Sequence, residues 1–369
     1  MTDMRPGIVF NEEGICNPCI MAEKRKKINW DERKKELEEL CSKYRRKKGE
    51  GKYDCIIAIS GGKDSHFQVY TLKKEFDMNP LLVSVDNFSW TETGRKNFTN
   101  IRESFDCDCI SLNLNPNVAK KMFRKALEEY GAPTYYWDRA VYTYPIKMAI
   151  NFNIPLIFYG ENVNYEYGGS QVEETPSAKE QYENDVAKTI DLSVWIDNID
   201  VQKEHLNWLS YPSIREIKES EVNPVYLSYY TGWSGYRNME IAKKFGFTDL
   251  LDNNEWEREG YIEQYDQIDA IGYLVHCWMK YPKFGHTRAT DVSSIWIREN
   301  RISREEGIHL VEENDYKLDS KIKKDFCEFV GYTEKEFDDI IDKWYNPELF
   351  EKDKNGKWKP KFKVGENLK

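Results

Sequence analysis

Long apolar runs are missing from this 369-residue chain. None approaches the roughly 18 residues that a membrane-spanning helix needs. The opening MTDMRPGIVFNEEG also lacks the basic-then-apolar layout of a signal peptide. Positive charge is in deficit: 54 Lys and Arg against 64 Asp and Glu leave a net charge of −10, with a pI of about 5.3. Phosphate backbones are bound by basic surfaces, so this balance argues against a nucleic-acid partner, although a local patch could outweigh the total. The 8 cysteines are scattered along the chain and do not form the dense framework of a disulfide-stapled domain. A reducing, cytoplasmic setting without membrane association is the expectation. Internal repeats and low-complexity tracts are absent as well.

What remains is the composition of a globular protein with a real core, 40% hydrophobic and 32% charged. The 24 Tyr and 11 Trp supply amphipathic rings able to line a polar pocket. Residues 1–29 read as irregular. Residues 30–48 read as a charged amphipathic helix with Leu37, Leu40 and Cys41 on one side, and GEGK at 49–52 reads as a break. From Tyr53, short apolar runs alternate with helical patterns. CIIAIS (55–60) precedes a helix over 64–76, PLLVSVD (80–86) one over 93–105, and CISLNL (109–114) one over 117–130. A helix over 137–152 precedes IPLIFYG (154–160), and NPVYLSYY (223–230) offers one more strand. Such alternation predicts an α/β fold, a parallel sheet with helices on both faces, followed by a helical C-terminal region. Helices are expected at 261–281, 287–299, 303–313, 319–329 and 334–344, with Thr333 and Glu336 as a capping box. The basic tail EKDKNGKWKPKFKVGENLK is expected to fray. The division expected is 1–52, an N-terminal segment; 53–232, a nucleotide domain; and 233–369, a helical substrate or partner region.

In parallel sheets, ligands sit beyond the carboxyl ends of the strands. That draws attention to AISGGKDSHF at 58–67. Glycines permit positive φ and close backbone approach, and amides at a helix start attract anions. Lys63 adds a point charge, Ser60 and Ser65 add hydroxyls, and Asp64 offers carboxylate oxygens to Mg²⁺. The chemistry implied is polyphosphate binding by Ser60, Gly61, Gly62, Lys63, Asp64 and Ser65. Walker A spacing is not met, because Asp64 follows Lys63. The competing reading is a glycine-rich turn with a serine cap.

The stretch SGGKDS resembles the SGGxDS loop of the PP-loop, or N-type ATP pyrophosphatase, superfamily, whose fold is adenine nucleotide alpha hydrolase-like. Further stretches resemble the bacterial N-acetyl sugar amidotransferases of the WbpG/PseA type: RPGIVFNEEGICNPC at 5–19, VDN at 85–87, GENVNYEYGG at 160–169, KFGHTRATD at 283–291 and ISREEGIHLV at 302–311. The resemblance implies an ATP- and Mg²⁺-dependent conversion of an acetamido group on a nucleotide-linked acidic sugar to acetamidino. It also implies a separate glutamine amidotransferase (HisH-like) and an ammonia-channelling (HisF-like) subunit. No glutaminase signature is visible in the chain, which agrees. An amide oxygen leaves poorly, and adenylation turns it into a leaving group.

Lys63, Asp64 and Glu161 are the candidate catalytic residues. Glu161 and Asn162 follow a buried strand. Glu161 would bind Mg²⁺ or orient the attacking amine, or would serve only as a cap. Asp86 would contact adenine or ribose, or cap a helix. Asn162, Glu166 and Tyr167 are candidate substrate contacts, with Gly168 and Gly169 permitting close approach, against an ordinary surface turn. Arg288 would clamp a carboxylate, or pair with Asp291 one helical turn on. CNPC gives Cys16 and Cys19 the spacing of half a zinc site. The resembling family usually carries a second pair slightly upstream, and none stands before Cys16 here, so the chain starts late, the site is filled from elsewhere, or it is lost. His276 and Cys277 are conceivable remote ligands, with packed core as the alternative. Cys107 and Cys109 would suit the sulfur transfer of a PP-loop tRNA-thiolating enzyme, or be small buried hydrophobes. A nucleotide-binding subunit without catalysis is a third reading, opposed by intact Asp64 and Glu161.

Overall fold

The structure, a computed structural model, describes residues 2–46, 50–163, 166–167, 175–179 and 200–366. Five parallel strands form its centre: β1 (Cys55–Ala58), β2 (Pro80–Val85), β3 (Cys109–Leu112), β4 (Leu156–Tyr159) and β5 (Asn223–Tyr226). Their order is β3-β2-β1-β4-β5, with Ile57 opposite Leu82 on one side and opposite Phe158 on the other. The direction of winding reverses between β1 and β4, which opens a crevice at their carboxyl ends. Every expected strand is found, each shorter than its apolar run.

Successive side chains point to opposite faces of a sheet. Ile56, Leu81, Val83 and Ile157 therefore pack on one side, against α5 (Pro116–Tyr130) and α6 (Tyr135–Phe152). Ile57, Leu82, Leu156 and Phe158 pack on the other. That second face is covered by α2 (Trp30–Tyr44), α3 (Lys63–Val69) and α4 (Glu92–Phe105), through Leu37, Cys41, Val69, Ile101 and Phe105. Burying such a side chain contributes about 1.5–3 kcal/mol, so both faces hold their helices. The helix begun at Lys63 continues as a wider turn over Tyr70–Glu75, with Phe76 N donating to Thr71 O at 3.1 Å.

Further helices are α1 (Asn17–Arg25), α7 (Ile214–Glu219), α8 (Leu227–Tyr230), α9 (Gly235–Lys243), α10 (Tyr273–Trp278), α11 (Lys280–Phe284), α12 (Arg288–Arg298), α13 (Arg304–Asn314), α14 (Ser320–Val330) and α15 (Glu334–Ile341). Leu274, Val275, Ile322, Phe326 and Phe337 join the α5–α6 core, which fastens the C-terminal helices to the sheet domain. The capping box at α15 is present: Glu336 N donates to Thr333 Oγ1 at 3.2 Å, and Thr333 N to Glu336 Oε2 at 2.7 Å.

Three expectations are corrected. Residues 1–29 are not wholly irregular, since α1 starts at Asn17 with Pro18 in its first turn. The tail does not fray over its described part. Phe350–Lys352 (β6) and Trp358–Pro360 (β7) form a hairpin around Gly356 (φ +76°), and Trp358 stacks on Tyr345 at 5.0 Å. The long helix expected at 261–281 is a loop over 261–272 followed by α10 and α11. Its reason is the buried Arg258–Glu263 pair, whose side chains are 0% and 1% exposed. Arg258 donates to the carbonyls of Glu263 (2.8 Å), Asp266 (2.8 Å) and Gln267 (3.3 Å). Glu263 Oε2 accepts from the amides of Tyr265 (2.9 Å) and Asp266 (2.7 Å). These side chains satisfy backbone groups that a helix would otherwise pair within itself.

Candidate active site

A cavity of about 260 Å³ lies at the crevice between β1 and β4. Its floor is the SGGKDS turn. Gly61 has φ +98°, and a Cβ there would come within 3.0 Å of the Phe98 backbone, so glycine is required. Ser65 Oγ accepts from the amides of Ser60 (3.0 Å) and Gly61 (3.4 Å), while Ser60 Oγ accepts from Gly62 N at 3.3 Å. The expected run of amides is thus held in place by hydroxyl oxygens, the kind of acceptor that an anion's oxygens would replace. His66, on the first turn, is structural. It sits 3.0 Å from both Gly62 O and Asn100 Nδ2, and burial holds it neutral with a pKa of about 4.

Lys63 is 3% exposed. Its Nζ donates to Asp64 Oδ2 at 2.6 Å and to Asp266 Oδ1 at 2.8 Å. Burial would discharge the ammonium, but Asp266 and Asp64 outweigh that and hold it well above its ordinary pKa. Asp64 also accepts from Asn238 Nδ2 on α9 at 2.8 Å. Glu161 lines the same cavity beyond β4. Burial, then the Asp64 charge, lift its pKa to about 7. Asp269 is lifted to about 6, by burial first and then by Asp266, although Ser60 donates to it. Asp266 itself is driven far down: Arg288 and Lys63 overcome the cost of its burial.

The other end of the cavity is apolar and aromatic, with Val83, Val85, Trp137, Val141, Tyr159 and Tyr273. Ser84 Oγ and Gln68 Oε1, which line it, are buried without a hydrogen-bond partner among the described residues. A charged floor, a ring-lined wall and unsatisfied polar atoms between them suit a nucleoside polyphosphate. Among the described residues, no three His, Cys, Asp or Glu side chains gather closely enough to hold a metal ion by themselves. Mg²⁺ does not require such a cage, because it is usually held by one or two carboxylates together with substrate phosphates. Asp64, whose side chain is 26% exposed, fits that role. The same observation gives zinc no support. Cys16 and Cys19 lie with Sγ atoms 3.3 Å apart at the start of α1, with no further ligand gathered around them among the described residues. His276 is half-buried, held neutral at a pKa of about 3 by burial, and stacked on Tyr273 at 5.5 Å, while Cys277 is packed core.

The remaining candidates divide. Asp86 does not line the cavity: its Oδ1 accepts from Trp90 Nε1 at 3.0 Å, and its neighbour Asn87 faces the cavity instead. Arg288 does not pair with Asp291. It binds Asp266 through Nη2 and donates to Tyr167 Oη through Nη1 at 3.0 Å. Asp291 is held by Arg5 and, at 3.0 Å, by Lys280. Arg5 also lies 5.7 Å from the centre of the Tyr167 ring. Glu166 pairs with Arg25, and its carbonyl accepts from Arg298 at 2.6 Å. Asn162 is 2% exposed beside Ser228 and is not part of the cavity wall. Gly168 and Gly169 lie outside the described residues. Cys107 and Cys109 stand at the β3 edge, away from the cavity wall, with thiols raised by burial, Cys109 to about 11. Asp266, Asp269 and Tyr265 are among the cavity residues that sequence reasoning missed, while Asn87 lies in the VDN stretch that it named without singling out that residue. The acidic spacing in YDQID was the only available sign, and the helical reading of that stretch hid it.

Residues 259–368 match a family described as LPS biosynthesis protein WbpG-like, C-terminal domain. That span is less than a third of the chain. It includes Asp266, Asp269 and Arg288. Over 107 residues the chain is 40% identical to an uncharacterized protein of Methanocaldococcus jannaschii, a match covering 28% of this chain and 38% of that protein. Among solved structures, NMN synthetase from Francisella tularensis aligns over 59% of this chain and 93% of its own, at 12% identity and a TM-score of 0.28. Among the described residues, no helix is long and apolar enough to cross a membrane.

Proposed function

We propose that this protein is an ATP-consuming, AMP- and pyrophosphate-forming enzyme of surface-polysaccharide synthesis, which turns an acetamido group of a nucleotide-linked acidic sugar into an acetamidino group. One observation carries the reading. The ammonium of Lys63, on the cavity wall where a glycine turn leaves β1, is joined through Asp266 to the guanidinium of Arg288, which is not itself part of that wall. A polyphosphate-binding turn thereby adjoins a buried cation suited to a carboxylate. The WbpG-like match over 259–368 supports a place in lipopolysaccharide synthesis, and that stretch contains Asp266 and Arg288.

The acceptor amide oxygen attacks the α-phosphorus of ATP and pyrophosphate departs. Ammonia then adds to the activated carbon and AMP leaves with the oxygen. Lys63 and the turn amides lower the energy of the charge growing on pyrophosphate. Asp64, together with the phosphates, would hold Mg²⁺, which would supply further neutralisation there. Glu161, with a pKa of about 7, is poised to take a proton from the attacking ammonia near neutral pH. Arg288 orients the acceptor's carboxylate. Ammonia comes from a separate glutaminase, since nothing in the chain resembles one. Sulfur transfer to tRNA is the weaker reading, because Cys107 and Cys109 do not reach the cavity wall.

The test is mass spectrometry of candidate acidic N-acetyl sugar nucleotides incubated with the protein, ATP, Mg²⁺ and an ammonium salt. The expected product is lighter by the difference between O and NH, and appears together with equal amounts of AMP and pyrophosphate. ADP and phosphate as products, or turnover with glutamine alone, would contradict the proposal.

A further inference from the structure

Lys63 and Arg288 stand 225 positions apart in the chain, counting 288 − 63, yet they share one counter-ion. Both are buried, at 3% and 6% exposure. A cation so placed needs a carboxylate, since leaving it unpaired out of water is costly. Asp266 serves both, accepting from Lys63 Nζ at 2.8 Å through one oxygen and from Arg288 Nη2 through the other. Asp64 completes the set at 2.6 Å from Lys63. The row Arg288–Asp266–Lys63–Asp64 therefore carries no net charge. Asp269 and Glu161 line the cavity beside it. Asp266 is aimed from behind, with its amide bound by Glu263 and its carbonyl by Arg258. The Nε of Arg288 is a buried donor with no partner among the described residues.

We propose that Asp266, itself fixed by Arg288, is a positioning residue that holds Lys63 at the cavity and yields Lys63 to an incoming polyphosphate. The proposal rests on the reading that Lys63 meets the triphosphate of ATP. It has a consequence that a purely structural residue would not share. Asp266 competes with phosphate for Lys63 while it aims Lys63, so its charge weakens anion binding and favours turnover. Removing the charge moves affinity and rate in opposite directions.

The experiment compares wild type, Asp266→Asn and Asp266→Glu by calorimetric titration with inorganic triphosphate in EDTA, and with ATP and Mg²⁺. Asp266→Asn is expected to bind triphosphate about fivefold tighter or more at low ionic strength, because one nearby negative charge is gone. The gain should shrink as salt is raised. Asp266→Glu, which keeps the charge, should bind like wild type. Acetic anhydride labelling of Lys63, read by peptide mass spectrometry, should be several-fold faster in Asp266→Asn and protected by triphosphate. Arg288→Gln leaves Asp266 undivided on Lys63, so its labelling should slow and its triphosphate affinity should fall. That variant carries the test if Asp266→Asn does not fold. A folded Asp266→Asn with equal or weaker triphosphate binding overturns the proposal, as does unchanged Lys63 labelling. So does faster labelling in Arg288→Gln. If wild type binds neither ATP nor triphosphate, the nucleotide reading falls, and the labelling comparison still decides the role of Asp266.

Discussion

The turn at 59–65 and the loop at 258–272 deliver charge to the same cavity, but they are held in different ways. The turn follows directly from its own sequence: glycine at the positive φ, hydroxyls on the local amides, and a helix beginning at Lys63. The loop depends on distant parts of the chain. Thr91 N and Oγ1 bind the carbonyls of Asp269 (3.1 Å) and Ile268 (2.5 Å). The buried Arg258–Glu263 pair folds the middle of the loop back on itself. A locally specified element supplies the ammonium, and a tertiary one supplies its partner. A change in the turn should therefore damage chemistry alone, whereas a change around the loop should cost stability and chemistry together.

The largest effect is expected from Lys63→Ala. Loss of one preorganised charge at the site of developing negative charge should cut pyrophosphate release by about 10²-fold or more. Circular dichroism should show the fold retained. Residual activity close to wild type would remove the turn from the mechanism.

Arg258→Met should reverse that balance. It leaves the Glu263 carboxylate buried without its cation, a change that typically costs about 3–5 kcal/mol. Urea denaturation should show the loss, and activity should fall because Asp266 is no longer aimed. Wild-type stability in this variant would break the distinction between the two regions.

Gly94→Ala probes the docking of the loop on α4. A Cβ there would stand 2.5 Å from Asp269 O and 2.8 Å from its Cα, both backbone atoms that cannot swing aside. Overpacking of this kind costs about 1–3 kcal/mol. Thermal melts and ATP affinity should fall together. A variant that melts lower while binding ATP normally would uncouple the loop from the nucleotide.

The smallest effect concerns pH. Glu161 has a folded pKa of about 7 against an ordinary value of 4.5. Between these values the folded state holds more protons than the unfolded one, so this group's contribution to stability declines as pH rises through that window. Glu161→Gln should flatten that part of the profile of stability against pH. An unchanged slope would assign the proton to another group, with Asp269, at about 6, the next candidate.

The sheet was legible because strands buried on both faces are written as continuous apolar runs, and Ile56 and Ile57 need no distant information to face opposite ways. The turn was legible because Gly61 meets a local requirement of the backbone. Asp86 and Asn87 show where this stops. Both follow β2, and which one enters the cavity depends on the indole of Trp90 taking the Asp86 carboxylate. Helical spacing in YIEQYDQIDAIGYLVHCW suggested one long helix, but whether Arg258 would take up its carbonyls could not be read from spacing.

The sequence by itself determined the parallel sheet, the glycine turn and the place of Lys63, since each rests on neighbours a few residues away. Only the tertiary structure decided that Asp266 would bridge Lys63 and Arg288, and that Asp291 would pair with Arg5 and Lys280 instead of Arg288. The physical reason is that charges buried at a shared cavity choose partners by distance and desolvation in the folded state, and spacing along the chain does not encode either.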